Sequence, residues 1–495
     1  MRGASPLTRS PNHSPSGGRT IKARRRSRLA LSRVRPSTLA LVRALGPLYM
    51  KMALRLDSLE LRGTERLVRA WHDFQDGRVR FILAFRHPYG DEPQLFSYLF
   101  DLIVPREARR LGAALPRRTH ARFVHGYEVP LWSGSFVRWL LPRIGAVPVY
   151  HARYDSASVS RVRKIAGEDD FPLALAPEGQ VSYRSETLPR MEKGTARIAF
   201  WCAEDLERAG RPMPVLVLPL SVHYRRDESE IGKIETLVAG LERRCGILPS
   251  PKPPAAIPAR RAALKKRLAV LDLALLSLAE SIYGLHPAVG SRTAGSDAAD
   301  TPTRDSRLAA LINAALQRAE SMLGIDGTRA RADTIERIYS VRQAGWDRIY
   351  PDRDLSAMKP LERTLADRQA GEAWYAMRHM ETVDLAFYLD SAYVEGRPGE
   401  DGPSFNRLVE CAYSLADLAS RLVGGDISDR PDLLRKRAVV VAAEPIDVCA
   451  RLPDYRRNRK AAVEAVTAEI ASAYEGCIQE YLSGPVPPPS PRSSS

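Results

Sequence analysis

The sequence predicts an α/β fold in which a mostly parallel sheet is flanked by helices and interrupted by a large all-helical insertion. Short apolar runs alternate with helical patterns over residues 36–227, which is typical of parallel strands joined by helices. From about residue 229 to residue 425 helical patterns dominate. A β-branched run then follows at residues 437–442, so we expect the last strand of the sheet after the insertion.

The elements of the first part follow in chain order. Strands are predicted where short apolar runs are bounded by charged, Gly or Pro residues, at residues 59–63, 79–85, 121–124, 147–150, 171–176 and 215–220. Helices are predicted where apolar side chains recur every three or four positions, at residues 37–56, 65–76, 94–102, 133–142, 156–165 and 194–204.

The second half of the sequence and the two ends of the chain predict the remaining domain boundaries. Within an insertion at residues 228–430 we expect helices at 308–323, 328–346, 360–393 and 405–423, together with one buried face formed by Leu264, Leu268, Leu271, Leu275, Leu278 and Ile282. Residues 431–483 are predicted to supply the returning strand and a C-terminal helix at 455–481. Residues 1–35 and 484–495 are rich in Ser, Pro and Arg or Gly, and we predict disordered tails there.

Composition limits the class of protein. The 495 residues are 44% hydrophobic and 27% charged, as in a globular protein, and the five scattered cysteines predict neither disulfides nor a zinc site. Thirteen positive charges precede Asp57, the first acidic residue, and contribute most of the net charge of +17. We therefore expect anionic partners for this start of the chain, which is either an organelle transit peptide or a bacterial tail. No apolar run is long enough to predict a transmembrane helix.

The first helix has two interpretations. Its apolar positions Leu41, Leu45, Leu48 and Met52 predict either a face packed on the core or a face lying in a membrane interface, with Arg43 and Lys51 toward lipid phosphates. Both remain open, since one helix can do both. The aromatic residues of the later helix at 133–142, namely Trp132, Phe136 and Trp139, are expected in the core.

Two strand ends carry the chemistry. The apolar run at residues 79–85 leads into Arg86, His87, Pro88 and Tyr89, and then into Asp91 and Glu92. An imidazole with a carboxylate partner is the arrangement of a general base. A second apolar run at 171–176 ends in Pro177-Glu178-Gly179. Because parallel strands deliver their carboxyl ends to one edge of a sheet, we expect one site there.

In order and spacing, these segments resemble the motifs of the glycerolipid acyltransferase family, the enzymes that acylate glycerol 3-phosphate or lysophosphatidate. The four blocks of that family would correspond to residues 87–92, 145–151, 176–179 and 215–220. The segment Ala443-Glu444-Pro445-Ile446 resembles the family's later Gly-Glu-Pro-Ile turn, about 220 residues farther along than the family pattern places it. The resemblance therefore also implies that residues 228–430 are inserted.

The resemblance implies roles for particular residues. His87 would be the general base, oriented by Glu92 at the position of the family's aspartate or by Asp91 one position earlier. Arg86, Pro177, Glu178 and Gly179 would bind substrate. The family usually carries arginines in its second and third blocks, where this chain has His151 and Val181, so Arg153 and Arg184 are the expected replacements.

The implied activity is transfer of a fatty acyl group from acyl-CoA or an acyl carrier protein to a hydroxyl of a glycerolipid-type acceptor. No metal, bound cofactor or covalent intermediate is needed, because the base activates the hydroxyl directly. The expected partners are a membrane surface, the lipid acceptor and, for a carrier-linked donor, the acyl carrier protein. The expected location is the cytoplasmic side of a membrane, with peripheral attachment. A binding role for nucleic acid is not expected. The alternative is a degenerate acyltransferase fold that binds lipid or a partner without catalysis.

Overall fold

The structure is a computed structural model, and it describes residues 21–26, 32–150, 155–248, 253–285, 303–325, 333–388, 393, 402–425 and 430–484. These residues form an α/β fold around a mostly parallel sheet of eight strands. Seven strands follow the order β1-β7-β6-β2-β5-β3-β4, and β8 pairs with β6. The strands β6, β2, β5, β3 and β4 are mutually parallel, whereas β7 runs antiparallel to β6 and parallel to β1.

The strands are β1 Leu56–Arg62, β2 Arg80–Phe85, β3 Arg122–Gly126, β4 Val147–Val149, β5 Leu173–Leu175, β6 Val215–Arg225, β7 Lys436–Ala442 and β8 Ile446–Asp447. The helices around the sheet are α1 Pro36–Met52, α2 Thr64–Gln75, α3 Glu92–Tyr98, α4 Val104–Arg110, α5 Val129–Trp132, α6 Gly134–Arg143, α7 Ser156–Glu168 and α8 Gly194–Arg208. A π-helical turn, Leu99–Ile103, joins α3 to α4.

The helices between β6 and β7 are α9 Ile231–Arg244, α10 Ile257–Ile282, α11 Arg304–Leu323, α12 Thr334–Ile349, α13 Pro360–Tyr388 and α14 Phe405–Leu422. We call this stretch, residues 228–430, the helical insertion. After β8 the chain continues as α15 Leu452–Arg457 and α16 Arg459–Ser483.

The sheet is covered on both faces. On one face Trp71 of α2 packs edge-on against Phe81 of β2, with ring centroids 5.3 Å apart, and Phe96 and Phe100 lie in the same cluster. On the other face Phe200 of α8 stacks on a tyrosine of α15, and α16 completes that cluster. Because both faces are covered, the central strands are continuous apolar runs instead of alternating ones.

The helical insertion has cores of its own. Leu264, Leu268, Leu271 and Leu275 are buried among α9, α10 and α14, as predicted, while α11, α12 and α13 form a second cluster. The prediction fails at Leu278 and Ile282, which are 48% and 52% exposed. At this end of α10 the buried positions are Leu276 and Ala279, which pack with Leu311 of α11, so Leu278 and Ile282 face outward.

The predicted disorder of residues 1–35 is wrong for residues 21–26 and 32–35. Ala23 is buried in the α11–α13 cluster, the Arg24 backbone N–H donates to the Ile349 carbonyl at 2.8 Å, and Arg26 pairs with Asp347 and Asp352. The short apolar pair Ile21 and Ala23 supplies the contact that the basic composition conceals. Residues 1–20, 27–31 and 485–495 lie outside the described residues.

The core interpretation of the apolar face of α1 and the core prediction for α6 are both corrected by the structure. On α1 the buried side is formed by Thr38, Leu39, Gly46 and Met50, whereas Leu41, Leu45, Leu48 and Met52 are 47% to 69% exposed. On α6 Phe136 and Trp139 are 51% and 41% exposed, so the expectation of a core position is wrong for both. The side chain of Trp132 lies outside the described residues. Both apolar faces therefore remain open to solvent.

In the described part of the chain, none of the helices combines the length and apolar character needed to cross a membrane.

Candidate active site

The edge of the sheet brings the two sequence segments together. Strands β2 and β5 are parallel neighbours with Ala84 opposite Leu175, so His87 and Glu178 leave the same edge. The carbonyl of His87 accepts a hydrogen bond from the Ser182 backbone N–H at 3.0 Å, and the His87 N–H donates to Glu178 Oε2 at 3.3 Å. The two strand-end segments expected at this edge therefore lie in direct contact.

Glu92, not Asp91, is the partner of the imidazole. Nδ1 of His87 lies 2.8 Å from Oε2 of Glu92. The contact is possible because residues 88–91 form a turn and Glu92 is the first residue of α3, so the five-residue spacing is not measured along a helix. With a proton on Nδ1 donated to the carboxylate, Nε2 carries the lone pair that a general base needs.

Glu92 is held by further donors. Its side chain is fully buried, the Tyr224 hydroxyl donates to Oε1 at 2.7 Å, and the Tyr89 backbone N–H lies 3.1 Å from both carboxylate oxygens. The pKa of Glu92 lies above its ordinary value because burial raises it more than the hydrogen bonds from His87 and Tyr224 lower it. These donors favour the ionised carboxylate, and they fix its position against the ring.

Asp91, the other candidate for the carboxylate that orients His87, pairs with a lysine instead. Its Oδ2 accepts from Nζ of Lys436, the first residue of β7, at 2.8 Å. Lys436 is 3% exposed, and although burial lowers its pKa, Asp91 and Asp432 outweigh that effect and leave the pKa raised. Asp91 thus ties the turn after His87 to the strand that follows the insertion.

Arg86 and Glu178 are buried, and neither side chain lines the cavity described below. The Arg86 side chain has no exposed surface, and its Nε donates to Glu178 Oε1 at 2.9 Å. Its two terminal nitrogens donate to the carbonyls of Arg184, Ser185 and Thr187. Neither residue is therefore placed to meet a ligand in the cavity, because their polar atoms already hold the two strand-end segments together.

Pro177 and Gly179 lie where a ligand could meet them, since both line the cavity described below. Gly179 has φ +71°, and a Cβ there would come within 2.7 Å of the Tyr339 hydroxyl of α12 and 2.8 Å of Glu192 Cγ. Glycine is needed at this position because it tolerates the positive φ and because any Cβ would collide with Tyr339 and Glu192. The Tyr339 hydroxyl donates to Glu192 at 3.2 Å, so the helical insertion closes over this loop.

Of the two expected replacement arginines, Arg184 is the one that the described residues include. Arg184 lies with its guanidinium 5.0 Å from the ring centroid of Tyr393, and it does not line the cavity, whereas Val181 does. Arg184 is therefore not placed to bind a ligand in this cavity. Arg153 and His151 lie outside the described residues.

A cavity of about 2070 Å³ opens beside His87. It is lined mainly by apolar side chains, from Leu41, Leu45, Leu48 and Met52 of α1, from Phe136 and Trp139 of α6, and from Trp346, Trp374 and Met377 of the insertion. The His87 side chain is 19% exposed in its wall. The volume is about twice the upper end of ordinary small-molecule pockets, which fits a long apolar ligand.

Sequence reasoning missed Tyr224 and Lys436. The predicted strand stopped at residue 220, although β6 continues to Arg225 and Tyr224 projects from the same face as Leu220 and Val222. A tyrosine in an otherwise apolar stripe is a usable signal, because a buried hydroxyl needs a partner. Lys436 stands between Arg435 and Arg437 directly before a β-branched run, so nothing in the local sequence distinguishes it from its basic neighbours.

The chain matches no protein-family model, and neither a curated protein nor a solved structure is significantly similar to it. Within the described residues, no group of three or more His, Cys, Asp or Glu side chains is placed to hold a metal ion.

Proposed function

We propose that the protein is an O-acyltransferase of the glycerolipid acyltransferase type, in which His87 is the general base. The observation that supports this most is the 2.8 Å contact between His87 Nδ1 and the buried Glu92, at the wall of a large apolar cavity. A base that faces bulk water would support hydrolysis equally well, whereas a base in a long apolar cavity suits an acyl chain and an acceptor hydroxyl.

The proposed reaction joins a thioester to an alcohol. His87 Nε2 removes the proton of the acceptor hydroxyl while its oxygen attacks the thioester carbonyl, and Glu92 stabilises the imidazolium that forms. The carbon–sulfur bond then breaks, the thiolate leaves, and the imidazolium returns the proton to the sulfur. The products are an ester and a free thiol, such as coenzyme A or the thiol of an acyl carrier protein.

The acceptor is proposed as a glycerolipid-type alcohol. Val181 lines the cavity where the resembled family has an arginine, and Arg184 does not replace it. The third block therefore offers no cation for a phosphate. For this reason, the acceptors to be tested include an uncharged monoacylglycerol beside glycerol 3-phosphate and lysophosphatidate.

We propose a membrane surface as the source of the acceptor. The exposed apolar residues of α1 and α6 also line the cavity, so the cavity opens between these two helices. Arg43, Lys51 and Arg138 on the same helices are exposed. Apolar side chains bordered by exposed cations are the pattern of an interfacial surface on anionic lipid.

Vesicle sedimentation tests this attachment. Leu48→Asp should lower binding to phosphatidylglycerol-containing vesicles about tenfold, because a charge replaces a side chain that is 63% exposed at the mouth. Leu273→Asp, at a position 44% exposed on α10 and away from the cavity, is the matched control. Equal losses in both variants would contradict the assigned surface.

The catalytic proposal is tested with the purified full chain, palmitoyl-CoA and each of the three acceptors. Thiol release and acylated product should appear together, and His87→Ala should lower the rate by at least about a thousandfold. His72→Ala, on the outer surface of α2, is the control for loss of a histidine. Should no acyl-CoA or acyl carrier protein thioester be turned over while lipid still binds, the catalytic proposal would give way to the lipid-binding alternative.

A further inference from the structure

Glu410 of the helical insertion lies against the candidate active site, although more than 300 positions separate it from His87 in the sequence. It is located on α14 and is completely buried. The Tyr89 hydroxyl donates to its Oε1 at 2.6 Å, and the Ser185 hydroxyl donates to the same oxygen at 2.7 Å. The Ser185 backbone N–H donates to Oε2 at 3.3 Å, and the Tyr393 hydroxyl donates there too.

These donors connect both strand-end segments. Tyr89 stands in the turn between His87 and Glu92, and its backbone N–H is one of the donors that hold Glu92. A shift of the Tyr89 ring would therefore move the Tyr89 backbone N–H, which positions the Glu92 carboxylate. Glu410 thus fixes the first segment through the tyrosine side chain.

Ser185 belongs to the second segment. Its carbonyl accepts from Arg86 Nη1 at 2.8 Å, and Arg86 binds Glu178, which accepts the His87 backbone N–H. This second series of contacts, through Ser185, Arg86 and Glu178, therefore also ends at His87. We call the seven residues His87, Glu92, Tyr89, Glu410, Ser185, Arg86 and Glu178 the Glu410 circuit.

Six members of the circuit come from the two segments at the sheet edge, and one comes from the helical insertion. Arg86, Glu92, Ser185 and Glu410 have at most 1% exposure, so their bonds are shielded from competing water. A neighbouring pair reinforces the same junction, because Glu186 accepts from Arg407 and Ser404 at the start of α14.

On the basis of the proposed acyltransferase function, we propose that Glu410 is a positioning residue for the His87–Glu92 pair, so that the helical insertion completes the active site. It touches neither substrate nor the reacting atoms. It holds Tyr89 and Ser185, and these hold Glu92 and His87 from two sides. A site with such support keeps its base in a productive orientation, and a displacement of about 1 Å can cost about a hundredfold in rate.

Glu410→Gln tests the proposal with little change in volume. We expect kcat to fall about 10- to 100-fold and KM to change less than about threefold, because orientation is lost and the substrate cavity is intact. Tyr89→Phe should lower kcat similarly, and the double variant should be no worse than the more damaged single variant, since both remove one link of the same circuit.

The matched control is Glu280→Gln. Glu280 is also a buried insertion glutamate, at 3% exposure, but it pairs with Arg307 between α10 and α11 and does not contact the circuit. It should lower thermal stability and leave kcat within about twofold of wild type. Equal kcat in Glu410→Gln and Glu280→Gln would overturn the proposal.

A second readout does not depend on turnover. The Nδ1 proton of His87, bound to Glu92, should give a downfield proton NMR signal in the full chain, assigned by its loss in His87→Ala. The signal should disappear or broaden in Glu410→Gln and persist in Glu280→Gln. If wild-type protein turns over no thioester, the proposed function fails, and an unchanged signal in Glu410→Gln would separately overturn the positioning role.

Discussion

The buried carboxylate of Glu186 should make folding stability depend on pH in a defined direction. Glu186 is 1% exposed, and its pKa is raised from 4.5 to about 7, first by burial and then by the nearby Glu410 charge, against the opposing effect of Arg407. The folded state therefore binds the proton more tightly than the unfolded state does. Its contribution to stability is fully present below pH 4.5 and is lost as the pH rises through about 7.

The magnitude follows from the size of that pKa change. A displacement from 4.5 to about 7 corresponds to on the order of 3 kcal/mol of unfolding free energy between pH 4.5 and pH 8. Glu186→Gln cannot ionise and retains an oxygen that can accept from Arg407. The stability of the variant relative to wild type should therefore increase by about this amount across that range.

Urea unfolding at a series of pH values, followed by circular dichroism and tryptophan fluorescence, measures the difference. Glu242→Gln is the matched control for losing a buried glutamate–arginine pair, because Glu242 is 3% exposed and binds Arg267. A stability difference between Glu186→Gln and wild type that stays constant with pH would refute the reasoning.

Three further tests address the site, and two of them compare a pair of variants. Tyr224→Phe removes a donor that lowers the pKa of Glu92, so the acid limb of the kcat/KM profile should move to higher pH. Gly179→Ala places a Cβ 2.7 Å from a hydroxyl of α12 at φ +71° and should cost about 1–3 kcal/mol in urea unfolding. Gly112→Ala, at φ +70° with no described atom within 4 Å of an added Cβ, isolates the backbone part. Glu92→Gln should lower kcat at least about a hundredfold, whereas Asp91→Asn should mainly lower the melting temperature; the reverse ranking would reassign the orienting carboxylate.

The alternation of strands and helices could be predicted because it follows from local patterns. Residues 81–85 of β2, all of β5 and residues 215–220 of β6 are continuous apolar runs, as expected for strands covered on both faces. The relative position of His87 and Glu178 could be predicted for the same reason, since adjacent parallel strands end at one edge. The sequence left both Glu92 and Asp91 as partners of His87, and the contact in the structure selects Glu92.

The contacts made by long side chains could not be predicted from local sequence patterns. A motif places Arg86 beside His87, but only the fold shows that its guanidinium turns inward to Glu178 and three carbonyls. The exposed face of α1 had two readings because apolar periodicity identifies a face and does not say what covers it. Glu410 carried no local signal, since its partners are remote in sequence and its helix is buried around most of its circumference.

The pairing of β1 affects how the chain can fold during synthesis. Leu56 of β1 lies opposite Lys436 of β7, and β7 is the strand that joins β1 to the rest of the sheet. About 380 residues separate the two strands, so at roughly 5–20 residues per second the ribosome needs about 20–80 seconds to supply the missing neighbour. Throughout that interval the nascent β1 edge has no strand to pair with, and this is the period in which chaperone protection would matter most.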